Sequence, residues 1–199
     1  MRYSVIVMGT SWGGLSAMTK LLRGLPKTFS VPIVVVQHRG KDSEKLLAQL
    51  LQDATDLHVC EIEDKDLLCP GTVHLAPANY HVMLEPGYAS LTIEEPVRFS
   101  RPSIDVTLTS AGDTYGPAAI GVVLTGANED GARGLAHIVK RGGRALVQDP
   151  KTAEIPIMPQ AAIEAAPTAE VVPLNKLARR LIELCREDAK AKGGRRAKV

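Results

Sequence analysis

The chain has 199 residues, 45% of them hydrophobic and 23% charged, with a formal net charge of +2; this excludes disorder over most of its length and gives one domain a sizeable core. No apolar run reaches the roughly 18–20 residues needed to span a bilayer, and no secretory signal pattern opens the chain, so membrane insertion and secretion are not expected. Cys60, Cys69 and Cys185 show no C-x-x-C spacing, which argues against a disulfide framework or zinc site and fits a reducing cytoplasm.

From the N-terminus, β-branched runs alternate with helical patterns. Tyr3 to Met8 is a short apolar run ending in a glycine-rich turn, and Leu15, Met18, Leu22 and Leu25 then recur at helical spacing. Val31 to Gln37 is a second apolar strand, followed by Leu46, Leu47, Leu50 and Leu51 on one helical face. Strands apolar on both faces are what a parallel sheet covered by helices demands. Residues 71–95 behave differently: short runs divided by Pro77, Pro86 and Gly87 suggest antiparallel hairpins inserted into the frame. The first pattern returns with a strand at Ala119–Leu124, a helix at Ala132–Val139, a strand at Arg144–Val147 and a last helix burying Leu177, Leu181 and Leu184.

The reading is an α/β domain over residues 1–188: a three-layer, doubly wound, mostly parallel sheet with an inserted antiparallel hairpin region. Residues 189–199 read as a basic, unfolded tail. From Lys176 onward there are nine basic and three acidic residues, against 15 and 19 before it. Such a tail attracts acidic partners. Nucleic acid is a poor candidate, because aromatics are few and no binding motif is present.

In doubly wound folds, ligands bind beyond the carboxyl ends of the strands. After the first strand stands Gly9-Thr10-Ser11-Trp12-Gly13-Gly14, which contains G-x-S-x-G. That sharp strand-to-helix turn holds a serine hydroxyl out at the sheet edge, and the N–H groups after it are free to receive an oxyanion. Ser11 is equally placed to cap the helix. A dinucleotide site is disfavoured, because its second glycine would stand where Ser11 does, and the second strand ends in Gln37-His38 rather than near an acidic residue.

His38 follows the second strand on the same edge, where a nucleophilic serine needs a base. Asp130 lies at a strand–helix junction in Leu124–Ala132. There it could cap the helix or accept the Nδ1–H of His38 and fix its tautomer. The chain order Ser, His, Asp differs from that of the α/β-hydrolases.

The segments GTSWGG, VVVQH, PGTVHLAP, SRPSIDV and LTGANEDGA, in this order over about residues 3 to 185, resemble the catalytic domain of the chemotaxis protein-glutamate methylesterase (CheB) family. The resemblance implies an esterase that removes methyl groups from glutamates on the cytoplasmic helices of chemoreceptors, often also deamidating receptor glutamines. It places the nucleophile, base and orienting acid on Ser11, His38 and Asp130, and it needs no metal or organic cofactor. Backbone N–H groups of Trp12 and Gly13 are candidates for the oxyanion. Arg101, in Ser100-Arg101-Pro102-Ser103, is a candidate for steering an acidic substrate or for a surface salt bridge.

The sequence departs from the family pattern at Trp12, where a small residue is usual, and at Ala127, where methionine is. Two further readings follow: a binding module of the same fold whose turnover Trp12 obstructs, or a hydrolase of small esters. The family usually carries a phosphorylatable receiver domain before the catalytic one. None precedes Tyr3 here, so activity without a phosphoryl donor is expected.

Overall fold

Val5 and Val7 are apolar on one side of their strand and Ile6 and Met8 on the other, so both faces need cover. The computed structural model describes residues 3–40 and 46–193 and supplies that cover as three layers. Seven strands form the sheet: β1 (Val5–Thr10), β2 (Ile33–Gln37), β3 (His58–Glu61), β4 (Thr72–Leu75), β7 (Ala119–Val123), β8 (Arg144–Gln148) and β9 (Glu170–Val172). Their order is β3-β4-β2-β1-β7-β8-β9, with every pair parallel. Strand β1 is flanked by β2 on one side and β7 on the other, so the connections reverse direction there, and a crevice opens beyond its carboxyl end.

On one face, α1 (Gly14–Arg23), α2 (Leu46–Gln52) and α6 (Leu174–Gly193) cover Ile6, Met8, Ile33, Val35 and Val122 with Met18, Leu21, Leu177 and Leu181. On the other, α3 (Ile104–Tyr115), α4 (Ala132–Lys140) and α5 (Ile157–Ala165) bury Val5, Val7, Val34 and Val36 under Ile104, Leu108, Leu135 and Met158. The three-layer α/β architecture is the one read from the sequence. Helix α6 continues to Gly193, past residue 188, and residues 194–199 of the basic tail lie outside the described ones.

The middle of the chain corrects one expectation. Residues 72–75 are not part of a hairpin; as β4 they lie between β3 and β2 in the parallel sheet. All four are buried, so both faces of the strand are covered and no alternation marks it. Only β5 (His81–Glu85) and β6 (Tyr88–Thr92) form an antiparallel pair, in register from His81↔Thr92 to Glu85↔Tyr88. Polar side chains of α3 engage β5: the Thr107 hydroxyl donates to the Val82 carbonyl (2.9 Å), Ser110 accepts from the Leu84 N–H (3.0 Å) and Thr114 donates to the Leu84 carbonyl (2.7 Å). Backbone groups of a strand that other strands leave unpaired are satisfied in this way.

Helices α3 and α4 pack closely because Gly134 has no side chain; a Cβ there would stand 2.6 Å from the Leu108 Cβ and 2.9 Å from the Asp105 carbonyl oxygen. At this contact two carboxylates cap each other's helices. Asp130, just before α4, accepts from the N–H groups of Ile104 (2.7 Å) and Asp105 (2.9 Å) at the start of α3. Asp105 accepts from Gly131 (2.9 Å) and Gly134 (2.8 Å) at the start of α4. Burial pushes the Asp105 carboxyl above the usual carboxylate range, the charge of Asp130 adds to the rise, and the N–H groups of Gly134 and Gly131 oppose it.

This arrangement predicts that Asp105→Ala costs about 2–4 kcal/mol of stability, because two buried N–H groups lose their acceptor. Asp105→Asn keeps a carbonyl oxygen and removes a charge that burial disfavours, so its expected cost is below about 1 kcal/mol. Denaturant unfolding of the two variants checks this; equal losses would mean that the charge itself, not the acceptor, holds the helices.

Candidate active site

Three strand ends meet at the crevice: Ser11 follows β1, His38 follows β2, and Asp130 lies beyond β7. Backbone hydrogen bonds continue the ladder past the strands, with the Ser11 N–H on the Thr125 carbonyl (3.0 Å) and the His38 N–H on the Thr10 carbonyl (3.1 Å). The Gln37 amide nitrogen then donates to the carbonyls of both Ser11 and His38, at 2.9 Å each. One side chain thereby fixes the two loops against each other.

Asp130 is fully buried and saturated with donors. Its Oδ1 accepts from the Ser103 hydroxyl (3.0 Å) and the Asp105 N–H, and its Oδ2 from the Ile104 N–H and from His38 Nε2 (2.7 Å). Burial alone would push this carboxyl up, but the hydrogen bonds from His38 and the two N–H groups outweigh it and hold Asp130 below the usual carboxylate range. The imidazole is nearly buried, 12% exposed.

The geometry corrects one detail: Asp130 meets Nε2, not Nδ1, of His38. In the tautomer whose Nε2–H donates to the carboxylate, Nδ1 is left as the basic nitrogen. It lies 3.3 Å from the Asn128 side-chain nitrogen, and the Asn128 side-chain oxygen accepts from the Asp130 N–H at 3.1 Å.

Ser11, Trp12, Gly13, Gln37, His38 and Glu154 line a cleft of about 670 Å³. Gly13 stands before α1 with φ of 75°, in the left-handed region, and no side chain caps the helix there. Among the described residues the N–H groups of Trp12 and Gly13 have no internal acceptor, whereas that of Gly14 is bonded to the Ser11 carbonyl at 2.9 Å. Trp12 is 66% exposed and lines the cleft.

Arg101 lies across His38 from that cleft, in a second cavity of about 410 Å³ shared with Phe99 and Pro102. Its guanidinium is spent on neutral acceptors: the Asn79 side-chain oxygen (2.7 and 3.1 Å) and the carbonyls of Ile93 (2.7 Å) and Glu94 (2.9 Å). It makes no salt bridge among the described residues; it keeps its positive charge and ties the loop after β6 to the segment before α3.

The sequence reading did not single out Ser103, Asp105, Gln37, Asn128 or Glu154. Ser103 had a signal, a serine before an apolar helical run, and its hydroxyl does cap α3. Asn128 had another, an asparagine two residues before a turn N–H it could accept from. Glu154 had none. Among the described residues, no group of three or more His, Cys, Asp or Glu side chains is placed to hold a metal ion, and no helix is long and apolar enough to cross a membrane.

Because Asp130 accepts four hydrogen bonds, Asp130→Asn places an NH₂ group against two donors. A loss of roughly 2–4 kcal/mol at neutral pH is expected, so this variant is not structurally silent. A depressed carboxyl contributes stability above its unfolded value of about 3.9 and loses it as pH falls through the folded one. The gap between parent and Asn variant should therefore narrow below about pH 4 in unfolding measurements; a gap that is constant with pH would show that the Asp130 charge is not what the fold selects.

The CheB methylesterase family model matches residues 6–181. A Leptospira interrogans protein named "Putative protein-glutamate methylesterase/protein-glutamine glutaminase" is 46% identical over 185 residues, covering 92% of this chain and 96% of its own. Protein-glutamate methylesterase FrzG of Myxococcus xanthus is 39% identical over 182 residues, covering 91% of this chain but 54% of its own, so the chain spans about half the length of that relative. The crystal structure of the Thermotoga maritima CheB methylesterase catalytic domain matches with a TM-score of 0.87 at 34% identity, over 92% of this chain and 98% of that one. With relatives that carry the name of protein-glutamate methylesterase, a carboxylic ester hydrolase, the chain belongs to the CheB methylesterase family.

Proposed function

We propose that this chain is a serine esterase that hydrolyses γ-methyl esters of glutamate on the cytoplasmic helices of chemoreceptors, with Ser11 as nucleophile, His38 as base and Asp130 as the acid that orients it. The observation that carries the reading is the juxtaposition at one strand edge: Ser11 and His38 line a single cleft, and His38 is held at 2.7 Å by a buried carboxylate. Family membership supports the reaction, and several relatives are also named protein-glutamine glutaminase, which makes receptor glutamine amides a second substrate class.

In this mechanism Ser11 Oγ attacks the γ-carbonyl carbon while its proton passes to Nδ1 of His38. Because Asn128 stands beside that nitrogen, the serine hydroxyl takes over its place there when substrate binds. The tetrahedral oxyanion rests on the N–H groups of Trp12 and Gly13, which have no internal acceptor among the described residues. Collapse expels the methoxy group, which leaves as methanol with the proton from His38. Water, deprotonated by the same imidazole, then cleaves the acyl-enzyme to give glutamate and restore Ser11. Asp130 keeps the Nε2 proton in place and stabilises the imidazolium formed in each half.

Methanol release from a methylated chemoreceptor tests the reading. The parent is expected to release it and Ser11→Ala not to, with Asp130→Asn lower by up to about 10⁴ in kcat when assayed where it is folded. kcat/KM should rise with pH as an imidazole gives up its proton; a profile flat from about pH 5 to 8 would remove His38 from the role. Organophosphonate labelling of Ser11 without receptor turnover would point to a hydrolase of small esters, and absence of labelling to a binding module.

A further inference from the structure

Most of the charged side chains that reach the Ser11 cleft are already answered. His38 is paired with Asp130, and Arg39 with Glu61 and the Ala76 carbonyl (2.8 Å). Glu154 is the exception: it lines the cleft, is exposed, and makes no hydrogen bond or ion pair among the described residues. Nor is it loosely placed. It belongs to the segment between β8 and α5, where the next residue, Ile155, donates its N–H to the Thr125 hydroxyl (2.9 Å) and accepts from the Gly126 N–H (3.1 Å). The side chain lies against the turn after Ser11; a Cβ on Gly13 would stand 2.7 Å from the Glu154 Cβ and 2.8 Å from its Oε2. Helix α1 has no acidic residue in its first turn, so its N-terminal dipole favours a carboxylate at this place.

The reaction proposed above begins with a neutral side chain, an ester or an amide, and ends with an anionic one in the same cleft. A fixed negative charge beside Gly13 leaves the neutral substrate almost unaffected and repels the ionised product and any unmodified glutamate. We infer that Glu154 is the specificity-determining residue of this cleft, admitting esterified or amidated glutamate side chains and turning away free carboxylates. The inference rests on the esterase reading for its biological sense, though the discrimination is a property of the cleft and can be read without turnover. The charge also works against the oxyanion, so its effect on rate is mixed and equilibrium binding is the cleaner measure.

The experiment uses Ser11→Ala, which cannot turn over, and the same chain carrying Glu154→Gln. Three synthetic helical peptides, identical except for a glutamate γ-methyl ester, a glutamine or a glutamate at one position, are titrated against each. Trp12, the only tryptophan of the chain, lies in the cleft wall and reports binding by its fluorescence. At low salt the glutamate peptide should bind Ser11→Ala roughly threefold to tenfold more weakly than the ester or amide peptide, the size expected for two water-exposed unit charges about 4–6 Å apart at the dielectric of water. That ratio should fall towards one in the Glu154→Gln chain, and it should shrink between about 0.02 and 0.5 M salt in Ser11→Ala alone. An equal ratio in the two chains, a ratio insensitive to salt, or no binding of any peptide overturns the inference. The esterase reading fails separately, if the parent releases no methanol while the charge discrimination persists.

Discussion

The site hangs on one carboxylate. Asp130 is buried among four donors that come from His38, from the Ser103 hydroxyl and from two N–H groups of α3. A buried anion is tolerable only when its lone pairs are satisfied, and here the donors are contributed by separate parts of the chain. The same atom set that orients the imidazole also fastens α3 to the segment before α4. In the proposed mechanism packing and chemistry therefore share a component, and a change at Asp130 or at its donors would be felt in both.

Around that point the walls of the cleft are cross-linked by neutral groups. Gln37 spans the loops after β1 and β2. The Thr125 hydroxyl lies 3.0 Å from the Trp12 carbonyl and accepts from Ile155, while Gln148 accepts from the Thr125 N–H at 2.9 Å. These bonds use no charge and are little screened by salt. They hold the loops that carry Ser11, Trp12 and His38 in register without any bound ligand, which is the condition for electrostatic preorganisation in the proposed mechanism.

The frame was legible because its strands are long, apolar and flanked by glycine turns; β1, β2, β7 and β8 all stand where the β-branched runs placed them. Strand β4 reads as a hairpin strand because Thr72-Val73-His74-Leu75 alternates polar and apolar residues, yet it is buried on both faces, with His74 accommodated there by the Cys69 N–H at 3.1 Å. The places of Ser11, His38 and Asp130 at the strand ends followed from topology alone. Which imidazole nitrogen meets the carboxylate did not, since that depends on the side-chain rotation set by Ile104, Asn128 and Asp130 together. Glu154 was invisible for a related reason: its proximity to Gly13 arises from a loop attached through Thr125, a contact across 30 residues that no local pattern carries.

The switch at β1 also bears on how the chain acquires its shape during synthesis. Val5 pairs with Ala119 on one side of β1, whereas Ile6 meets Ile33 on the other. A nascent chain emerging N-terminus first can assemble β1, β2, β3 and β4 early, but one edge of β1, with its apolar faces, stays open until β7 leaves the ribosome. Pairings of such long sequence separation form late and leave unpaired edges exposed meanwhile. Asp130 arrives with that last half, so an unfinished chain holds Ser11 and His38 without the carboxylate that fixes the imidazole, and the proposed triad cannot assemble until the sheet closes.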